Sequence, residues 1–295
     1  PEGYRFKVPR GSSWTAVAET LAAQDFITHP LSLRLWLWLR PGEDVLRSGV
    51  FMLRAPMTLD QLVQRLTEEP DGTPPLVLVE GNRFRDLKAL LSRREDVRQA
   101  MASLSDSEIL AAIGAEEHHP EGLFAPNTYV VDEGERDLDL LRRLYLRQKR
   151  ILAEEWAGRA SGLPYRTPYE ALIMASIIER ETGVAEERGQ IAGVFVRRLQ
   201  QGMRLQTDPT VIYGLGEAFN GNLTRVHLRQ MSPYNTYRIS GLPPTPIAMP
   251  GRAAIHAALH PADGDAIYFV ADGKGRHIFS ATLDAHNRAV NRYQR

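Results

Sequence analysis

The sequence contains no cysteine, which excludes disulfide bonds, thiol catalysis and cysteine-ligated metal sites. It also has no apolar run near the roughly 20 residues that span a bilayer. The most apolar stretch, residues 31–39, is short and contains Arg34. Acidic and basic side chains balance at 36 each, so no net charge recruits nucleic acid as a partner. A chain without cysteine suits either the cytosol or a cell envelope.

Residues 1–74 are predicted to form a small first domain. Strand and helix patterns alternate in the order strand, helix, helix, strand, helix, and a turn is expected at residues 9–13. The proline- and glycine-rich break PDGTPP at residues 70–75 marks its end. The first four elements and the phrase VPRGSSW resemble a LysM-like module, a β-α-α-β unit of cell-wall proteins. The alternative is an α/β scaffold piece that binds no ligand.

Residues 75–295 are predicted to form a larger domain of mixed helices and strands, so the expected fold class is α+β. Helices are expected at residues 84–94, 137–156, 186–201 and 284–293, and a hairpin at residues 267–280. The segment EGLFAPNTY, at residues 121–129, has neither helical nor strand periodicity and is predicted to be a loop that forms a shaped surface.

A helix at residues 167–183 organises this second domain. Thr167 is its predicted N-cap, and Glu170 is placed to complete a capping box. Gly183 is the predicted stop, because glycine accepts the left-handed conformation that ends many helices. No residue of 171–178 is charged, and a helix that is apolar on nearly every face is a buried one.

This buried helix ends in two carboxylates, Glu179 and Glu181. Burial raises the pKa of a carboxyl group, and the negative end of the helix dipole also opposes an anion there. A carboxylic acid that keeps its proton near neutral pH can serve as a general acid. The alternative is that both glutamates are solvated, as most helix-end glutamates are.

Three loops rich in proline, aromatic rings, amides and hydroxyls follow, at residues 203–216, 232–237 and 241–251. Rings stack on the apolar faces of sugars, while amides and hydroxyls bond their polar groups. The loops therefore predict a preformed carbohydrate cleft. Two alternatives stay open: Asp208 could instead cap a helix with Pro209 at its first position, and each tyrosine could be a core residue.

Six motifs in order resemble the YceG-like family of endolytic murein transglycosylases. They are EGLFAPNTY (121–129), ASIIERETG (175–183), MRLQTDPTVIYGLG (203–216), SPYNTY (232–237), GLPPTPIAMPG (241–251) and YFVADGKGRHIFS (268–280). The resemblance implies a catalytic glutamate directly before a Ser or Thr at a helix end, which here is Glu181 before Thr182. Glu179 lies about 200° around the helix from Glu181, so both carboxylates cannot point into one cleft.

The resemblance implies cleavage of the β-1,4 bond between N-acetylmuramic acid and N-acetylglucosamine, leaving a 1,6-anhydro end. Glu181 would act first as general acid and then as base. The residues expected to bind substrate are Gln206, Thr207, Asp208, Tyr213, Tyr234, Asn235, Thr236 and Tyr237. One alternative is a hydrolytic muramidase with Asp208 as its second carboxylate. Another is a peptidoglycan-binding tether without catalysis.

Peptidoglycan glycan strands are the expected partner, together with cell-wall synthases of elongation or division. No cofactor and no metal are expected. His256 and His260 lie four apart on a predicted helix but lack the glutamate of a zinc protease motif. His286 and Asn287 are interpreted as structural. The resemblance implies a single-pass anchor in the bacterial inner membrane, with the catalytic part facing the periplasm, although this sequence contains no such helix.

Overall fold

The structure is a computed structural model that describes residues 4–9, 11–39, 45–54, 56–72 and 74–293. Helices and small antiparallel sheets alternate along these residues, which confirms the predicted α+β class. The chain divides into two compact units, Pro1–Pro74 and Pro75–Arg295. Arg10, in the predicted turn, and Thr73, in the predicted break, lie outside the described residues.

The first unit is built on one antiparallel strand pair. Its elements are β1 (Tyr4–Val8), α1 (Trp14–Ala23), α2 (Pro30–Leu39), β2 (Gly49–Leu53) and α3 (Leu59–Thr67). Phe6 of β1 lies opposite Phe51 of β2, and both rings are buried in the core of this unit. Thr58 and Gln61 form a complete capping box at the start of α3. The unit therefore has its own core and its own helix caps.

The second unit is mostly helical. Its elements are β3 (Leu76–Leu78), α4 (Phe84–Ser92), α5 (Asp106–Ile113), β4 (Asn127–Tyr129), α6 (Asp137–Ala157), α7 (Pro168–Glu181), α8 (Arg188–Gln200), α9 (Asp208–Leu215), α10 (Arg225–Arg229), α11 (Arg252–Leu259), β5 (Tyr268–Ala271), β6 (His277–Ser280) and α12 (Leu283–Tyr293). β3 pairs antiparallel with β4, and β5 with β6. Among the described helices, none is both long and apolar enough to cross a membrane.

Helix α7 is the centre of the second unit. Each residue from 171 to 178 is buried, as the apolar run predicts, and α7 packs against α6, α8, α9 and α11. The hydroxyl of Thr167 accepts the N–H of Glu170, which confirms the predicted N-cap. The Glu170 carboxylate accepts the N–H of Arg166 instead of that of Thr167, so the reciprocal half of the predicted capping box is wrong.

The C-terminal end of α7 differs from the prediction. The helix ends at Glu181, and Thr182 is already extended, with φ −142° and ψ 137°. The Thr182 hydroxyl accepts the N–H of Val184 at 2.9 Å. A threonine side chain that bonds the backbone two residues ahead makes its own turn, so the stop needs no left-handed glycine, and the role predicted for Gly183 is wrong.

Most of the segment at residues 121–129 is buried in the core, and only residues 126–128 reach the surface that was predicted for all of it. Residues 121–125 are buried, and the Phe124 ring stacks on Phe84 with centroids 5.2 Å apart. Residues 127–129 form β4, which is too short to show a two-residue alternation in sequence. Gly122 has φ +80°, and a Cβ there would lie 2.5 Å from Pro246, so only glycine lets these two loops pack.

A serine inside α7 joins the helix to the loop at residues 241–251. Ser176 is fully buried. Its hydroxyl donates to the carbonyl of Ile173 at 2.7 Å and accepts the N–H of Ile247 at 2.9 Å. Ser176→Ala would leave that buried N–H without a partner.

We expect Ser176→Ala to lower the free energy of unfolding by about 1–3 kcal/mol, the cost of an unsatisfied buried donor. This loss should occur even though alanine has the higher helix propensity. The control is Ser92→Ala at the exposed end of α4, which should change stability by less than about 0.5 kcal/mol. Chemical denaturation measures both, and equal effects would contradict the assignment.

Candidate active site

Glu181, the last residue of α7, meets the loop that precedes α9. The buried hydroxyl of Thr207 donates a hydrogen bond to Glu181 Oε1. Part of the Glu181 side chain is exposed to a cavity, and packed protein surrounds the rest. This burial raises the pKa of the Glu181 carboxyl to about 7; the Thr207 hydrogen bond opposes the shift, and the negative charge of Asp208 adds to it. A group with that pKa can both give and take a proton near neutral pH.

Glu179 points elsewhere, as helical geometry predicts. Its carboxylate accepts the N–H of Gly251 at 2.9 Å and lies 3.8 Å from the guanidinium of Arg188. Burial raises the pKa of Glu179 as well, while the Gly251 hydrogen bond and Arg188 oppose that shift. Glu179 therefore joins α7 to the start of α11, and Glu181 is the carboxylate of this pair that lines the cavity.

The cavity beside Glu181 has a volume of about 500 Å³, which lies within the usual range for small-ligand sites. Its walls are formed by the ends of α7 and α8, the loop before α9, the loop at residues 232–237, the β5–β6 hairpin and α12. Its lining is mostly polar, with carboxylate, amide, hydroxyl, phenol, imidazole and guanidinium groups. Such a surface suits a ligand that carries many hydroxyl and amide groups, as a glycan does.

A second cavity, of about 290 Å³, lies between α6 and the start of α7. Leu123, Leu152 and Leu172 are among its lining residues, and its walls are mostly apolar. An apolar cavity does not satisfy the hydroxyl groups of a sugar. Of these two cavities, the polar one at Glu181, which also contains a carboxyl group with a raised pKa, is the candidate active site.

Four of the eight residues predicted to bind substrate line the Glu181 cavity. They are Gln206, Thr207, Asp208 and Tyr237. The Tyr237 hydroxyl donates to Asp208 Oδ1 at 2.7 Å. Asp208 is the first residue of α9, and Thr207 is the N-cap position. The alternative interpretation of Asp208 as the helix cap is therefore wrong, because its carboxylate is bound to Tyr237 and lies beside Glu181.

Asn235 and Thr236 lie beneath this wall and do not line the cavity. The buried Asn235 amide donates to three backbone carbonyls at residues 227–230, where α10 ends. Thr236 Oγ1 accepts the N–H of Thr207 at 3.0 Å and lies 2.8 Å from Thr210 Oγ1. Thr236 therefore holds the segment that presents Thr207 to Glu181, and Asn235 holds the adjoining loop against the end of α10.

Tyr213 and Tyr234 belong to a different cluster. Their ring centroids lie 4.9 Å apart, and the Tyr213 hydroxyl donates to Glu121 at 3.1 Å. The Arg83 guanidinium lies 5.0 Å from the Tyr213 ring centroid. Burial raises the pKa of Glu121 to about 7, while the N–H of Phe84 and the Tyr213 hydroxyl oppose the shift. The local pattern of aromatic and hydroxyl groups thus does not distinguish the two clusters.

Arg198 is a cavity residue that the sequence did not identify. Only 6% of Arg198 is exposed. Its guanidinium donates to the carbonyls of Leu205 at 2.6 Å and Ile267 at 2.7 Å. Both carbonyls lie outside the helix that carries Arg198, so no helical period in the sequence indicates this burial.

The hairpin and the last helix also contribute to the cavity. His277 of β6 and His286 and Asn287 of α12 line it, so the structural interpretation of His286 and Asn287 was incomplete. The His286 ring stacks on Tyr268 with centroids 5.2 Å apart. The polar residues inside YFVADGKGRHIFS were the one signal in the sequence that could have indicated this wall.

Backbone strain coincides with the site at Gln206. This residue has φ +52°, a left-handed conformation that costs a side chain-bearing residue about 1–2 kcal/mol. Its N–H donates to the Thr236 carbonyl at 3.2 Å, which holds the strained backbone in place. Strain of this kind often accumulates where a side chain must be aimed at a ligand.

Among the described residues, three side chains lie close enough together to ligate one metal ion. Atoms of Glu155, His256 and His260 lie within 4.8 Å of one another. Glu155 already accepts a hydrogen bond from Arg252 at 2.7 Å and is 2.8 Å from the His256 ring nitrogen. None of these residues lines the Glu181 cavity, so the chemistry argued below does not involve this group.

The sequence model of the YceG-like family matches residues 6–292. The chain belongs to the YceG-like family. A YceG-like protein of Listeria monocytogenes with a solved structure superposes with a TM-score of 0.62 at 29% identity, covering 97% of this chain and 99% of that one. The family resemblance inferred from the motifs is therefore confirmed.

Two curated relatives carry the name endolytic murein transglycosylase. The Bacillus subtilis protein is 30% identical over 303 residues, covering 97% of this chain and 83% of the relative. The protein of Streptococcus pneumoniae strain D39 is 26% identical over 317 residues. That alignment covers 96% of this YceG-like chain and 57% of the longer pneumococcal protein.

The raised pKa of Glu181 predicts a pH-dependent contribution to stability. Its pKa rises from 4.5 to about 7 on folding, so the bound proton stabilises the folded state fully below pH 4.5, and this contribution is lost as pH rises through 7. Glu181→Gln removes the titration. We expect the variant to gain stability relative to the wild type between pH 5 and pH 8 in chemical denaturation, whereas a constant difference would contradict the shift.

The strained backbone at Gln206 predicts a reversed preference between glycine and alanine. Gln206→Gly should be more stable than Gln206→Ala by about 1 kcal/mol, because glycine relieves the left-handed strain that alanine retains. At Gln190, exposed in α8, the order should be the usual one, with alanine more stable by about 0.4–1 kcal/mol. The same order at both positions in chemical denaturation would show that Gln206 is unstrained.

Proposed function

We propose that this chain is an endolytic murein transglycosylase. It cleaves the β-1,4 bond between N-acetylmuramic acid and N-acetylglucosamine inside glycan strands and leaves 1,6-anhydro ends. Family membership and the names of the two relatives support this function. The observation that carries the mechanism is a carboxyl group with a pKa near 7 at the edge of a polar cavity.

In the first step, protonated Glu181 gives its proton to the glycosidic oxygen, and the bond from that oxygen to the muramoyl C1 breaks. The oxygen leaves as the hydroxyl of N-acetylglucosamine, and positive charge develops at C1. In the second step, the Glu181 carboxylate takes the proton of the muramoyl 6-hydroxyl while O6 bonds to C1. Protons balance over the cycle, water is not consumed, and one carboxyl group suffices.

The neighbours of Glu181 match these two roles. The Thr207 hydroxyl, held from below by Thr236, donates to Oε1 and so leaves Oε2 for the proton that moves. Gln206 and the Tyr237–Asp208 pair line the same cavity and offer amide and phenol groups to the sugar. We propose these residues as the substrate contacts, with Asn235 and Thr236 as their support.

Hydrolysis remains the chemical alternative, because Asp208 places a second carboxylate in the cavity. An ordinary glycosidase uses two carboxylates about 5–9.5 Å apart on opposite sides of the scissile bond. Asp208 instead follows Thr207 directly and bonds Tyr237, so it lies on the same wall as the hydrogen bond to Glu181. This placement favours the single-carboxylate route, and the two products differ in whether their ends are anhydro or reducing.

Several finer features belong to the same proposal. The β-α-α-β order of the first unit supports a LysM-like module that holds glycan strands, with its ligand-free scaffold role as the alternative. We place the catalytic part on the periplasmic side of the bacterial inner membrane, held there by an anchor. Cell-wall synthases of elongation or division would supply the nascent strands that the enzyme cuts.

Mass spectrometry of products from uncrosslinked glycan strands tests this function. The wild type should release fragments with 1,6-anhydro ends. Glu181→Gln should lower the rate at least about 100-fold, the usual smallest contribution of a positioned general acid. Glu217→Gln, the same change at an exposed residue, should leave the rate unchanged.

The outcomes separate the three interpretations. Reducing ends from the wild type would establish a hydrolytic muramidase. Undiminished anhydro product from Glu181→Gln would exclude Glu181 as the acid. If the wild type binds glycan strands but does not cut them, the protein is a peptidoglycan-binding tether.

A further inference from the structure

The wall of the cavity formed by the hairpin carries an imidazole whose role the mechanism above does not include. His277 is the first residue of β6 and lines the cavity together with Glu181. Its side chain is 13% exposed, and its ring packs edge-on against Phe269, with centroids 5.3 Å apart at 90°. The ring is thus fixed in orientation, with a small part of it open to the cavity.

A buried carboxylate holds the other side of this ring. Glu187, in the short 3₁₀ turn before α8, has a side chain that is only 7% exposed. Its Oε1 accepts the backbone N–H of His277 at 3.1 Å, and its Oε2 lies 2.8 Å from Nδ1 of the ring. Burying a carboxylate costs free energy unless it is well bonded, and here both oxygens are committed to one residue.

These two bonds fix the tautomer of the histidine. An ionised carboxylate only accepts hydrogen bonds, so Nδ1 must carry a proton. Nε2 is then the ring nitrogen left for the cavity, and in the neutral ring it is an acceptor. The matching group on a ligand is a hydrogen-bond donor, and on a glycan the hydroxyls are the most numerous donors.

The hairpin wall is also held firmly against the wall that carries the acid. Arg198 donates to the carbonyl of Ile267, just before β5, and to the carbonyl of Leu205, next to Gln206. The buried Arg198 guanidinium therefore joins the β5–β6 hairpin to the loop before α9, and both of these segments line the cavity. His277 keeps a defined position relative to the loop that bonds Glu181.

We propose that His277 is a substrate-binding residue whose Nε2 accepts a hydrogen bond from a glycan hydroxyl, and that Glu187 is a positioning residue that fixes its tautomer. The inference rests on the proposed function, since it takes the ligand of the cavity to be a glycan strand. It adds an acceptor on the hairpin wall to the groups predicted from the loops.

The test uses Glu181→Gln as a background in which strands bind without being cut, and it measures the affinity for uncrosslinked glycan oligosaccharides. Adding Glu187→Gln preserves the shape of the pair, but its amide donates to Nδ1 and moves the ring proton to Nε2. We expect the affinity for glycan to fall roughly tenfold. This is the usual loss when a hydrogen bond is replaced by two donors that face each other.

Two substitutions of His277 form a matched pair. His277→Asn keeps a donor near the position of Nδ1 and loses the atom that faces the cavity, so it should lose affinity about as Glu187→Gln does. His277→Gln reaches the position of Nε2 with an amide oxygen and should bind several-fold more tightly than His277→Asn. Nitrogen-15 NMR of the ring should show the proton on Nδ1 in the background protein and on Nε2 after Glu187→Gln.

If His277 and Glu187 only stabilise the fold, the variants should show a different pattern of stability and affinity. In that case Glu187→Gln and His277→Asn lower the melting temperature, while the folded fraction binds glycan as tightly as the background protein, and this result would overturn the inference. If the Glu181→Gln protein binds no glycan and the wild type makes no product, the proposed function itself fails. Normal binding and turnover with no response to the His277 and Glu187 variants would refute this inference alone.

Discussion

Packing of the second unit removes most of the Glu181 carboxyl group from water, and the pKa of this group depends on that burial. Glu181 ends a helix whose preceding residues 171–178 are all buried, so the apolar packing of α7 carries the acid to the edge of the cavity. Burial opposes ionisation there, and the Thr207 hydrogen bond limits the shift to a pKa of about 7. With a much higher pKa, Glu181 would not release its proton near neutral pH. With an ordinary pKa, it would carry no proton to donate there.

The position of Thr207 depends in turn on contacts that bring distant segments together. Thr236 bonds the backbone and Thr210 closes the network below it, while Arg198 joins the same loop to the hairpin. Few of these groups can touch a ligand, yet each restricts where the Thr207 hydroxyl points. The functional loops are thus supported by buried polar bonds, which are costly to leave incomplete and so favour a single arrangement.

Local signals predicted α7 well and long-range contacts poorly. The apolar run, the Thr167 cap and the angle between Glu179 and Glu181 follow from helical geometry, and all three agree with the structure. The burial of Arg198 and the cavity-facing position of His277 depend on partners outside their own helix and strand, so no local period could indicate them. Tyr213 and Tyr237 carry the same chemical groups, and only the tertiary fold directs one to Glu121 and the other to Asp208.

We infer that Glu181 keeps its proton to near neutral pH because the fold removes its carboxyl group from water. The most direct measurement is carbon-13 NMR of protein labelled at the glutamate side-chain carboxyl carbons, titrated with pH, with the Glu181 signal assigned from its absence in Glu181→Gln. The structure predicts a midpoint near pH 7 for that signal. A midpoint near the ordinary value of 4.5 would contradict the account.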